Sequence, residues 1–527
     1  MRRIYFKTLI NPYTAALISA PLFYSCGAKK QHQEKKQPNI LFILSDDHTS
    51  QAWGVYGGVL ADYAKNDNIK KLADEGCVLD NAMCTNSLST PSRASIHTGA
   101  YSHKNQVYTL NDELNTSYDN IAKELKEVGY QTSLYGKWHL KSKPQGFDDW
   151  AVFFDQGRYW DPIFKTASNW VPNKNVGDTI KGFSTDIVAD KTIRFIKGRD
   201  KDKPFATFCQ FKATHEPWDF PERNKDLYKD VVFPDPVGMM NFNPRAGGRT
   251  FTGRMLEDMA VRWESASTGP WWCDYPGLPF KREGKSKEAD RQQIYQKMIR
   301  DFLRCGATID QNIGRLLDCL DEEGIANNTI VVYVADQGYF LGEHGMFDKR
   351  MMYEQPLHMP FVIRYPDEIP AGTRNKDIIL NIDMAATLAD YAGAKAPDLS
   401  QGRSFRANLR GETPSDWRKE MYYRYWVNEK IRPSHFGIRN ERYTLMFLYG
   451  QSLDMSGNEN VSETPTWEFY DLQKDPDQMT NQYNNKEYAS IIQDMKVEMM
   501  KLRQEYDDTD AKYPVMQKIL KENKLIK

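Results

Sequence analysis

Two pairs of oxygen-bearing side chains stand directly after two apolar runs of the sequence. Asp46 and Asp47 follow "PNILFILS", and Asp336 and Gln337 follow "NTIVVYVA". Carboxylate and amide oxygens, without sulfur or imidazole, are the ligands of a hard divalent cation. Each pair alone could equally cap a helix or close a turn, but two such pairs at matching strand ends favour a shared ion. The sequence therefore predicts a cation site, with Ca2+ as the first choice and Mg2+ as the alternative.

A second reactive segment is "STPSRASIHTG", residues 89–99. An unmodified Ser89 needs a neighbouring base to become a nucleophile, and no part of the chain resembles a GxSxG elbow. The segment does resemble the signature of the type I sulfatases, in which Cys or Ser, a variable residue and Pro-Ser-Arg direct the oxidation of the first residue to formylglycine. On this resemblance Ser89 is the formylglycine (3-oxoalanine) precursor, and Arg93 is the arginine of the motif.

Other segments resemble the same family in order and spacing. They are "NILFILSDDH" (39–48), "YGKWHL" (135–140), "THEPW" (214–218), "ADQGYFLGEHGMFDKRMMYE" (335–354) and, near the C-terminus, "WEFYDLQKDP" (467–476). The resemblance covers roughly residues 38–393 together with that last segment. One departure is Gln337, where the family more often has Asn or His, although a Gln side chain also offers an oxygen to a metal.

The resemblance implies a carbohydrate sulfatase that hydrolyses sulfate esters. The hydrated aldehyde at position 89 attacks sulfur, and its second hydroxyl group later expels sulfate. The implied metal ligands are Asp46, Asp47, Ser89, Asp336 and Gln337. The implied catalytic residues are Ser89, Arg93, Lys137, His139, His215 and Lys349.

The implied roles follow the movement of charge in the reaction. His215, with Lys349, donates a proton to the leaving sugar oxygen. Lys137 and Lys349 hold the sulfate oxygens. His139 holds or deprotonates the hydrate, and Arg93 orients it.

Four further residues are candidates for binding the sugar: His344, Arg424, His435 and Trp160. Each has a structural alternative, since His344 could hold a Gly-rich loop, Arg424 and His435 could belong to a packed sheet face, and Trp160 could staple a loop. His48 and His97 lie beside motif positions, and we interpret them as packed side chains.

The elements that must position these residues alternate along the chain. Helical segments precede the apolar runs that end near residues 136, 210 and 335, which predicts an α/β fold with a largely parallel sheet covered on both faces. Because ligand sites of such sheets lie at the carboxyl ends of the strands, the polar residues after each run should converge. The resemblance implies the alkaline-phosphatase-like sulfatase fold, with a large, mixed, mostly parallel sheet between helices.

The pattern of apolar and polar residues changes near residue 400. Short aromatic segments such as "MYYRYW" and "YTLMFLYG" alternate with polar loops, and a helical pattern follows, so we predict a smaller C-terminal α+β subdomain with an antiparallel sheet. The predicted division is a catalytic domain at 38–400 and a subdomain at 401–527. The Pro-, Gly- and Trp-rich interval from about 219 to 287 is expected to pass over the active edge.

Composition and the N-terminus bear on location and partners. Lys plus Arg total 70 against 71 acidic residues, so no global field attracts a nucleic acid or an anionic membrane. Residues 1–37 have the layout of a signal peptide and tether, with Cys26 as a candidate lipid attachment site. The expected location is the periplasm or the outer membrane of a Gram-negative bacterium, with a lipid anchor as the only membrane link. A serine at position 89 resembles the variant matured by an anaerobic radical S-adenosylmethionine enzyme, so the host is expected to be anaerobic.

Alternatives remain open at this stage. The substrate could be a glycosaminoglycan or a mucin glycan, with 6-O-sulfated N-acetylglucosamine, sulfated galactose or sulfated N-acetylgalactosamine as the target. A phosphodiesterase or phosphonate hydrolase shares the same scaffold, although such enzymes often carry two zinc ions with extra His ligands. An inactive glycan-binding protein is the non-enzymatic alternative.

Overall fold

A ten-stranded sheet forms the centre of the protein. The computed structural model describes residues 36–527 except 65 and 266–274, so Cys26 and nearly all of the predicted leader lie outside the described residues. In chain order the strands are β1 (Asn39–Ser45), β2 (Cys77–Leu79), β3 (Ala82–Met83), β4 (Gln131–Gly136), β5 (Asp149–Phe153), β6 (Ile163–Lys165), β7 (Asp178–Thr179), β8 (Phe205–Gln210), β9 (Arg254–Met255), β10 (Thr329–Ala335), β11 (Phe340–Leu341), β12 (Met346–Asp348), β13 (Phe361–Arg364), β14 (Thr373–Asn375), β15 (Ile379–Leu380), β16 (Glu420–Tyr425), β17 (His435–Asn440), β18 (Tyr443–Leu448) and β19 (Thr466–Asp471).

Helices cover this sheet and close the C-terminal part of the chain. They are α1 (Asp67–Asp74), α2 (Ser89–Thr98), α3 (Ser102–Asn105), α4 (Ile121–Glu127), α5 (Ser184–Gly198), α6 (Leu256–Ser265), α7 (Lys287–Glu322), α8 (Glu354–Leu357), α9 (Asp383–Ala392), α10 (Arg406–Leu409), α11 (Ala489–Glu505) and α12 (Pro514–Glu522). Over the part of the chain that is described, no helix combines the length and apolarity needed to span a membrane.

The strand order of the large sheet is β14-β2-β13-β10-β1-β8-β4-β5-β6-β7. The inner strands β10, β1, β8, β4 and β5 run parallel, whereas β13 and β6 are antiparallel to their inner neighbours. The predicted mixed, mostly parallel sheet is therefore confirmed. Ser45 is in register with Ala335, and Leu44 with Gln210, so the inner strands end at one level and deliver the residues that follow them to one edge.

Strand β1 shows why a continuous apolar run suits this position. Leu41 and Ile43 pack into the core on one face, while Ile40, Phe42 and Leu44 pack into the core on the other. Side chains alternate between faces in a strand, and helices cover both faces, so the five central positions 40–44 are all apolar. The same core clusters include residues of α5 and α7 on the first face and of α2, α4 and α9 on the second.

The C-terminal part contains the predicted antiparallel sheet, in the order β16-β17-β18-β19. Met495 and Met499 of α11 share its apolar core. That core also takes in Leu88 and Phe340 from the N-terminal part, and residues 37–527 form one compact unit. The two sheets therefore belong to one compact unit, and a domain boundary at residue 400 stays a prediction.

The interval 219–287 reaches the active edge and also enters the core. Its short strand β9 pairs with β12, which ends just before Lys349. Leu256, Met259 and Trp263 of α6 are buried in the first core cluster. The tryptophan-rich "PWWCDY" (270–275) lies outside the described residues except for Tyr275.

Candidate active site

Three buried carboxylates meet at the carboxyl ends of the central strands. Ligand atoms of Asp46, Asp47 and Asp336 all lie within 4.8 Å of one another. The parallel pairing of β1 with β10 produces this cluster, because it sets the two strand ends side by side. The backbone N–H of Asp47 donates to Asp336 Oδ1 at 3.1 Å, and Asp47 itself has φ of 60°. A left-handed backbone at a residue other than glycine is strained, and such residues concentrate at functional sites.

Ser89 begins helix α2 and points at this cluster. Its Oγ donates to Asp46 Oδ1 at 3.0 Å and accepts from Gln337 Nε2 at 3.1 Å. Pro91 fits in the first turn because the N–H that proline lacks has no intrahelical partner there. Gly99 ends the helix with φ of 69°, a conformation that glycine adopts without strain. The N-terminus of α2 therefore presents Ser89 together with the positive end of the helix dipole, which favours an anion.

Cations surround the carboxylates. Lys137 Nζ contacts Asp46, and Lys349 Nζ contacts both oxygens of Asp47. Arg93 Nε donates to Asp336 Oδ2 at 3.0 Å. Arg93 also donates to the backbone oxygen of Lys137 at 2.7 Å, which ties helix α2 to the end of β4. The site thus brings together residues from four separate motifs of the sequence: 39–48, 89–99, 135–140 and 335–354.

The pKa values of the three carboxyl groups are shifted in different directions. Although burial raises it, Lys137 and then His215 hold the pKa of Asp46 well below its usual range. Burial raises the pKa of Asp47, and Lys349 offsets part of that rise. Burial and the neighbouring Asp46 raise the pKa of Asp336. Carboxylates this close ionise together only when further positive charge is supplied.

The donor set fits a hard cation. The three acids offer only oxygen, as Ca2+ and Mg2+ require. Gln337 Nε2 donates to Asp47 and Ser89, while its buried Oε1 has no hydrogen-bond partner within the described chain. A 180° rotation of this amide exchanges its oxygen and nitrogen, which have nearly the same size. The rotated side chain presents its oxygen to the cluster. Asp46, Asp47, Asp336 and Gln337 can therefore hold a divalent ion beside residue 89.

Two of the predicted catalytic histidines, His215 and His139, lie within electrostatic range of Asp46. His215 Nε2 lies 3.8 Å from Asp47 Oδ2, and its Nδ1 lies 2.8 Å from the backbone oxygen of Glu216. Burial, and then Lys137, lowers the pKa of His215 well below its usual range. The imidazole is thus neutral at neutral pH until a bound anion such as sulfate favours its protonated form.

His139 has a partner that sequence reasoning missed. Its Nε2 lies 3.1 Å from Asp155 Oδ1, and its buried Nδ1 has no hydrogen-bond partner among the residues the structure describes. A carboxylate at one ring nitrogen fixes the tautomer and leaves the other nitrogen as the base. Burial, and then Lys137, lowers the pKa of His139 to about 4. The only signal in the sequence was the position of Asp155 just beyond β5, another strand of the parallel set.

None of the four predicted sugar-binding residues forms a hydrogen bond or ion pair with the carboxylate cluster within the described part of the chain, and each has other partners. Arg424 is buried in ion pairs with Asp508 at 2.6 Å and Asp510 at 2.8 Å. His435 is buried against the rings of Tyr423 and Tyr425.

His344 and Trp160 are likewise packed against aromatic rings. His344, buried, lies edge-on to Phe340 and Tyr353, and Trp160 lies edge-on to Phe183. All four sugar-binding assignments stay predictions, and each of the four side chains has a packing role. His48 and His97 are packed as interpreted: His48 is stacked on Phe302 and His97 lies edge-on to Trp138.

An arginine cluster beside Lys349 was also missed. Asp348 pairs with Arg432, with Arg350 at 3.2 Å and with Arg254 at 3.9 Å. Arg254 keeps about a quarter of its side chain exposed (26 %). The sequence gives no signal for this cluster, because Arg254 and Arg432 arrive from an interval and a subdomain that are remote along the chain. It places excess positive charge next to a predicted catalytic lysine.

A second ion pair lies next to His215. Arg262 Nη1 donates to Glu216 Oε1 at 3.0 Å, and the side chains of both residues are partly exposed, at 26 % and 21 %. Arg262 belongs to α6, so the interval 219–287 supplies one arginine next to Asp348 and one next to Glu216.

The fold and this acid-lysine-histidine site define a hydrolase of the sulfatase class. Residues 38–394 match the sulfatase family, and residues 342–505 match the family described as N-sulphoglucosamine sulphohydrolase, C-terminal. The chain therefore belongs to the sulfatase family. It is a sulfuric ester hydrolase, and members of this family use a formylglycine and a divalent metal ion.

Individual relatives agree with this assignment. An N-acetylglucosamine-6-O-sulfatase of Bacteroides thetaiotaomicron is 36% identical over 95% of this chain and 92% of its own length. A protein solved in complex with its substrate D-glucosamine-2-N,6-O-disulfate is 35% identical, with a TM-score of 0.81 over 91% of this chain and 100% of that one. A phosphonate monoester hydrolase of Silicibacter pomeroyi has a TM-score of 0.69 at 21% identity, covering 90% of this chain and 96% of its own, and so shares the fold alone.

Proposed function

We propose that this sulfatase removes the 6-O-sulfate group from glucosamine-type sugars of sulfated glycosaminoglycans. The observation that carries the proposal is the hydroxyl of Ser89 at the start of α2, 3.0 Å from one of three clustered carboxylates and flanked by two lysines and two histidines. The choice of sugar is supported by the relatives, which act on N-acetylglucosamine 6-O-sulfate or bind a 2-N,6-O-disulfated glucosamine.

We further propose that residue 89 is oxidised to formylglycine by a radical S-adenosylmethionine maturation enzyme and that the ion is Ca2+. The hydrate of the aldehyde supplies the nucleophile and a route for sulfate release that a serine ester lacks. Asp46, Asp47, Asp336 and Gln337 would hold this ion, which would polarise the sulfate oxygens and favour the ionised nucleophile. The oxygen-only donor set supports calcium or magnesium over zinc.

The lysines and histidines have separate roles in sulfate binding and proton transfer. Lys137 and Lys349 are buried ammonium groups that hold sulfate oxygens. His139, fixed by Asp155, accepts the proton of the residue-89 hydroxyl at Nδ1. His215 donates a proton to the leaving sugar oxygen, because a sugar alkoxide is a poor leaving group without one. Arg93, held by Asp336 and the backbone of Lys137, maintains the positive charge behind the nucleophile.

The positive groups around Lys349 favour an anionic glycan. Arg254 and Arg262 are partly exposed and lie next to Asp348 and Glu216, whose sequence neighbours are the predicted catalytic residues Lys349 and His215. The sugar that carries the sulfate ester must lie against these groups, since His215 has to reach its bridging oxygen. Excess positive charge there raises the local concentration of an anionic substrate.

Export completes the proposal. The signal-like residues 1–37 support secretion to the periplasm, and Cys26 supports an outer-membrane lipid anchor. Extracellular glycans would then be accessible to the enzyme. Intact-mass analysis of the membrane-associated protein tests the anchor.

The decisive experiment compares sulfates and phosphates after maturation. The chain is coexpressed with a radical S-adenosylmethionine maturation enzyme, and intact mass is expected to show the loss of two hydrogens at residue 89. Turnover is then measured on 6-O-sulfated N-acetylglucosamine, galactose and N-acetylgalactosamine, and on 4-nitrophenyl sulfate and phosphate, with Ser89→Ala as the control. Glucosamine-type 6-sulfates are expected to give the highest kcat/KM.

Each alternative has its own result in this experiment. A preference for 4-nitrophenyl phosphate would assign the site to a phosphodiesterase or phosphonate hydrolase. A chain that binds sulfated sugars but never loses the two hydrogens, and turns none of them over, would be a glycan-binding protein.

A further inference from the structure

Tyr159 is a buried side chain that contacts the backbone of a proposed catalytic residue. It lies in the loop between β5 and β6, beside Trp160, and is 4 % exposed. Its hydroxyl donates to the backbone oxygen of His215 at 2.5 Å. Burial raises the pKa of Tyr159 well above its usual range, so the hydroxyl stays protonated and can serve as this donor. The proposed reaction gives Tyr159 no role.

The ring of His215 takes its direction from the backbone of its own loop. Its Nδ1 lies 2.8 Å from the backbone oxygen of Glu216. That oxygen can only accept, so Nδ1 carries the hydrogen and Nε2 is the nitrogen that faces the carboxylates. The loop is fixed to the end of β1 at Thr214, whose N–H donates to the backbone oxygen of Asp46 at 2.7 Å. The Tyr159 hydroxyl holds the loop one residue further on, at His215 itself.

Tyr159 is itself held from several directions. Its ring is stacked on Phe183, with centroids 5.6 Å apart and planes 18° from parallel. Its backbone oxygen accepts from the N–H of Ser184, the first residue of α5, at 2.7 Å. The ammonium of Lys212 lies 4.9 Å from the ring centroid, and the thiol sulfur of Cys305 in α7 lies 3.4 Å from the hydroxyl oxygen. Because α5 and α7 pack in the first core cluster, the hydroxyl is in place before substrate binds.

This contact should matter more for the rate of the reaction than for stability. A neutral hydrogen bond adds little to the free energy of folding, because the unfolded chain makes equivalent bonds to water. Proton transfer is more demanding, since the donor nitrogen has to come within about 2.6–3.2 Å of the leaving oxygen. A displacement of about 1 Å can lower a rate about a hundredfold. A contact that fixes the backbone of His215 is therefore expected to act on proton donation.

We propose that Tyr159 is a positioning residue for the proton donor. Its hydrogen bond to the carbonyl of His215 fixes the loop so that Nε2 faces the leaving sugar oxygen. This inference rests on the proposed function, since it assumes that His215 donates the proton. Tyr159 acts through His215 and not on the reacting atoms, so the loss of its hydroxyl should slow only the turnover that needs the proton.

Removal of a single oxygen atom tests the contact. Tyr159→Phe deletes the hydroxyl and keeps the ring that stacks on Phe183. In the matured protein, kcat on 6-O-sulfated N-acetylglucosamine is expected to fall about tenfold to a hundredfold, with KM within about threefold of the wild type. On 4-nitrophenyl sulfate, whose leaving group needs no proton, kcat should stay within about twofold.

Tyr130→Phe is the matched control. The Tyr130 hydroxyl also donates to a backbone oxygen, that of Pro38 at 2.7 Å, and the side chain is 3 % exposed. Pro38 directly precedes β1, so this contact lies at the edge of the sheet opposite the carboxylate cluster. The variant should turn over both sulfate esters like the wild type.

A double variant separates positioning from a general structural role. Adding Tyr159→Phe to His215→Ala should change kcat on the sugar sulfate by less than about twofold, because the residue that Tyr159 positions is already absent. A structural role would instead cause the same loss of kcat with or without His215.

The position of the ring is also measured without turnover. Protein that carries isotope-labelled histidine is produced without the maturation enzyme, and the NMR signals of the His215 ring are identified by their loss in His215→Ala. Tyr159→Phe is expected to shift or broaden these signals, and Tyr130→Phe to leave them unchanged.

The outcomes decide the inference. Unchanged His215 ring signals in Tyr159→Phe would overturn it, as would equal losses of kcat on the two sulfate esters or a further loss of about tenfold in the double variant. A matured wild-type protein that hydrolyses no sulfate ester would count against the proposed function instead, and the ring signals would still decide whether Tyr159 positions His215.

Discussion

Neutralising Asp336 tests the cation site most directly. Its Oδ1 accepts from the backbone N–H groups of Asp47 and Gln337, both at 3.1 Å, and its Oδ2 accepts from Arg93 at 3.0 Å. Asp336→Asn keeps the size of the side chain and an acceptor for the two backbone groups. It removes one of the three negative charges of the cluster and turns an amide N–H toward Arg93.

The magnitude follows from the charge of the donor set. Calcium affinities in oxygen sites span several orders of magnitude with the number of charged ligands. Going from three carboxylates to two is therefore expected to raise the Kd for Ca2+ about a hundredfold, which corresponds to about 2.7 kcal/mol.

Asp310→Asn is a matched control for the same chemistry away from the site. Asp310 Oδ1 also accepts two backbone N–H groups, from Asn68 at 3.1 Å and Ile69 at 2.9 Å, and it too is buried. Calorimetric titration of the chelator-treated matured proteins with Ca2+ and with Mg2+, and kcat/KM at several cation concentrations, are compared between the two variants. Only Asp336→Asn should weaken cation binding and lower kcat/KM at low cation concentration. Cation affinity and turnover within threefold of the wild type in Asp336→Asn would refute the assignment.

Three further predictions address individual side chains. Arg424→Met leaves Asp508 without its cation, so denaturant unfolding should show a free energy of unfolding lower by about 3–5 kcal/mol. A variant of normal stability whose turnover is lowered more than tenfold would instead support a role of Arg424 in substrate binding. Asp155→Asn should lower kcat about tenfold to a hundredfold with little change in KM, because His139 loses its orienting carboxylate; an unchanged kcat would count against the pair. His215→Ala should lower kcat on a sugar sulfate by about 10²–10⁴ and much less on 4-nitrophenyl sulfate, whose leaving group needs no proton. Equal losses on the two substrates would contradict the proton-donor role.

The local sequence was sufficient for the strands and their terminal residues. The run "ILFIL" (40–44) has no polar position, which favours a strand buried on both faces, and the acids that follow it closely then lie at the end of that strand. The same reasoning placed Asp336 and Gln337, and the fold confirms the parallel sheet that brings the two ends together. In the segment "STPSRASIHTG" the helix was found only in the structure, where Pro91 lies in the first turn of α2 and Gly99 ends it.

The partners of charged side chains were not accessible to sequence reasoning. Arg424 looked like a residue that grips substrate, yet it is buried against Asp508 and Asp510, which come from a loop over 80 positions later. Asp155 and Arg254 showed no pattern of their own and became relevant only where the chain brings them beside His139 and Asp348. A charge can pair with any opposite charge that the fold delivers, and its partner is therefore a long-range property.

The sequence by itself determined the apolar runs that form the inner strands, the acids that follow two of them, and the serine motif, because each depends on residues close together in the chain. Only the tertiary structure decided which of these residues share a site and which histidine has a carboxylate partner. Those features depend on strand order and register, which join segments hundreds of residues apart and are set by the packing of both faces of the sheet at once.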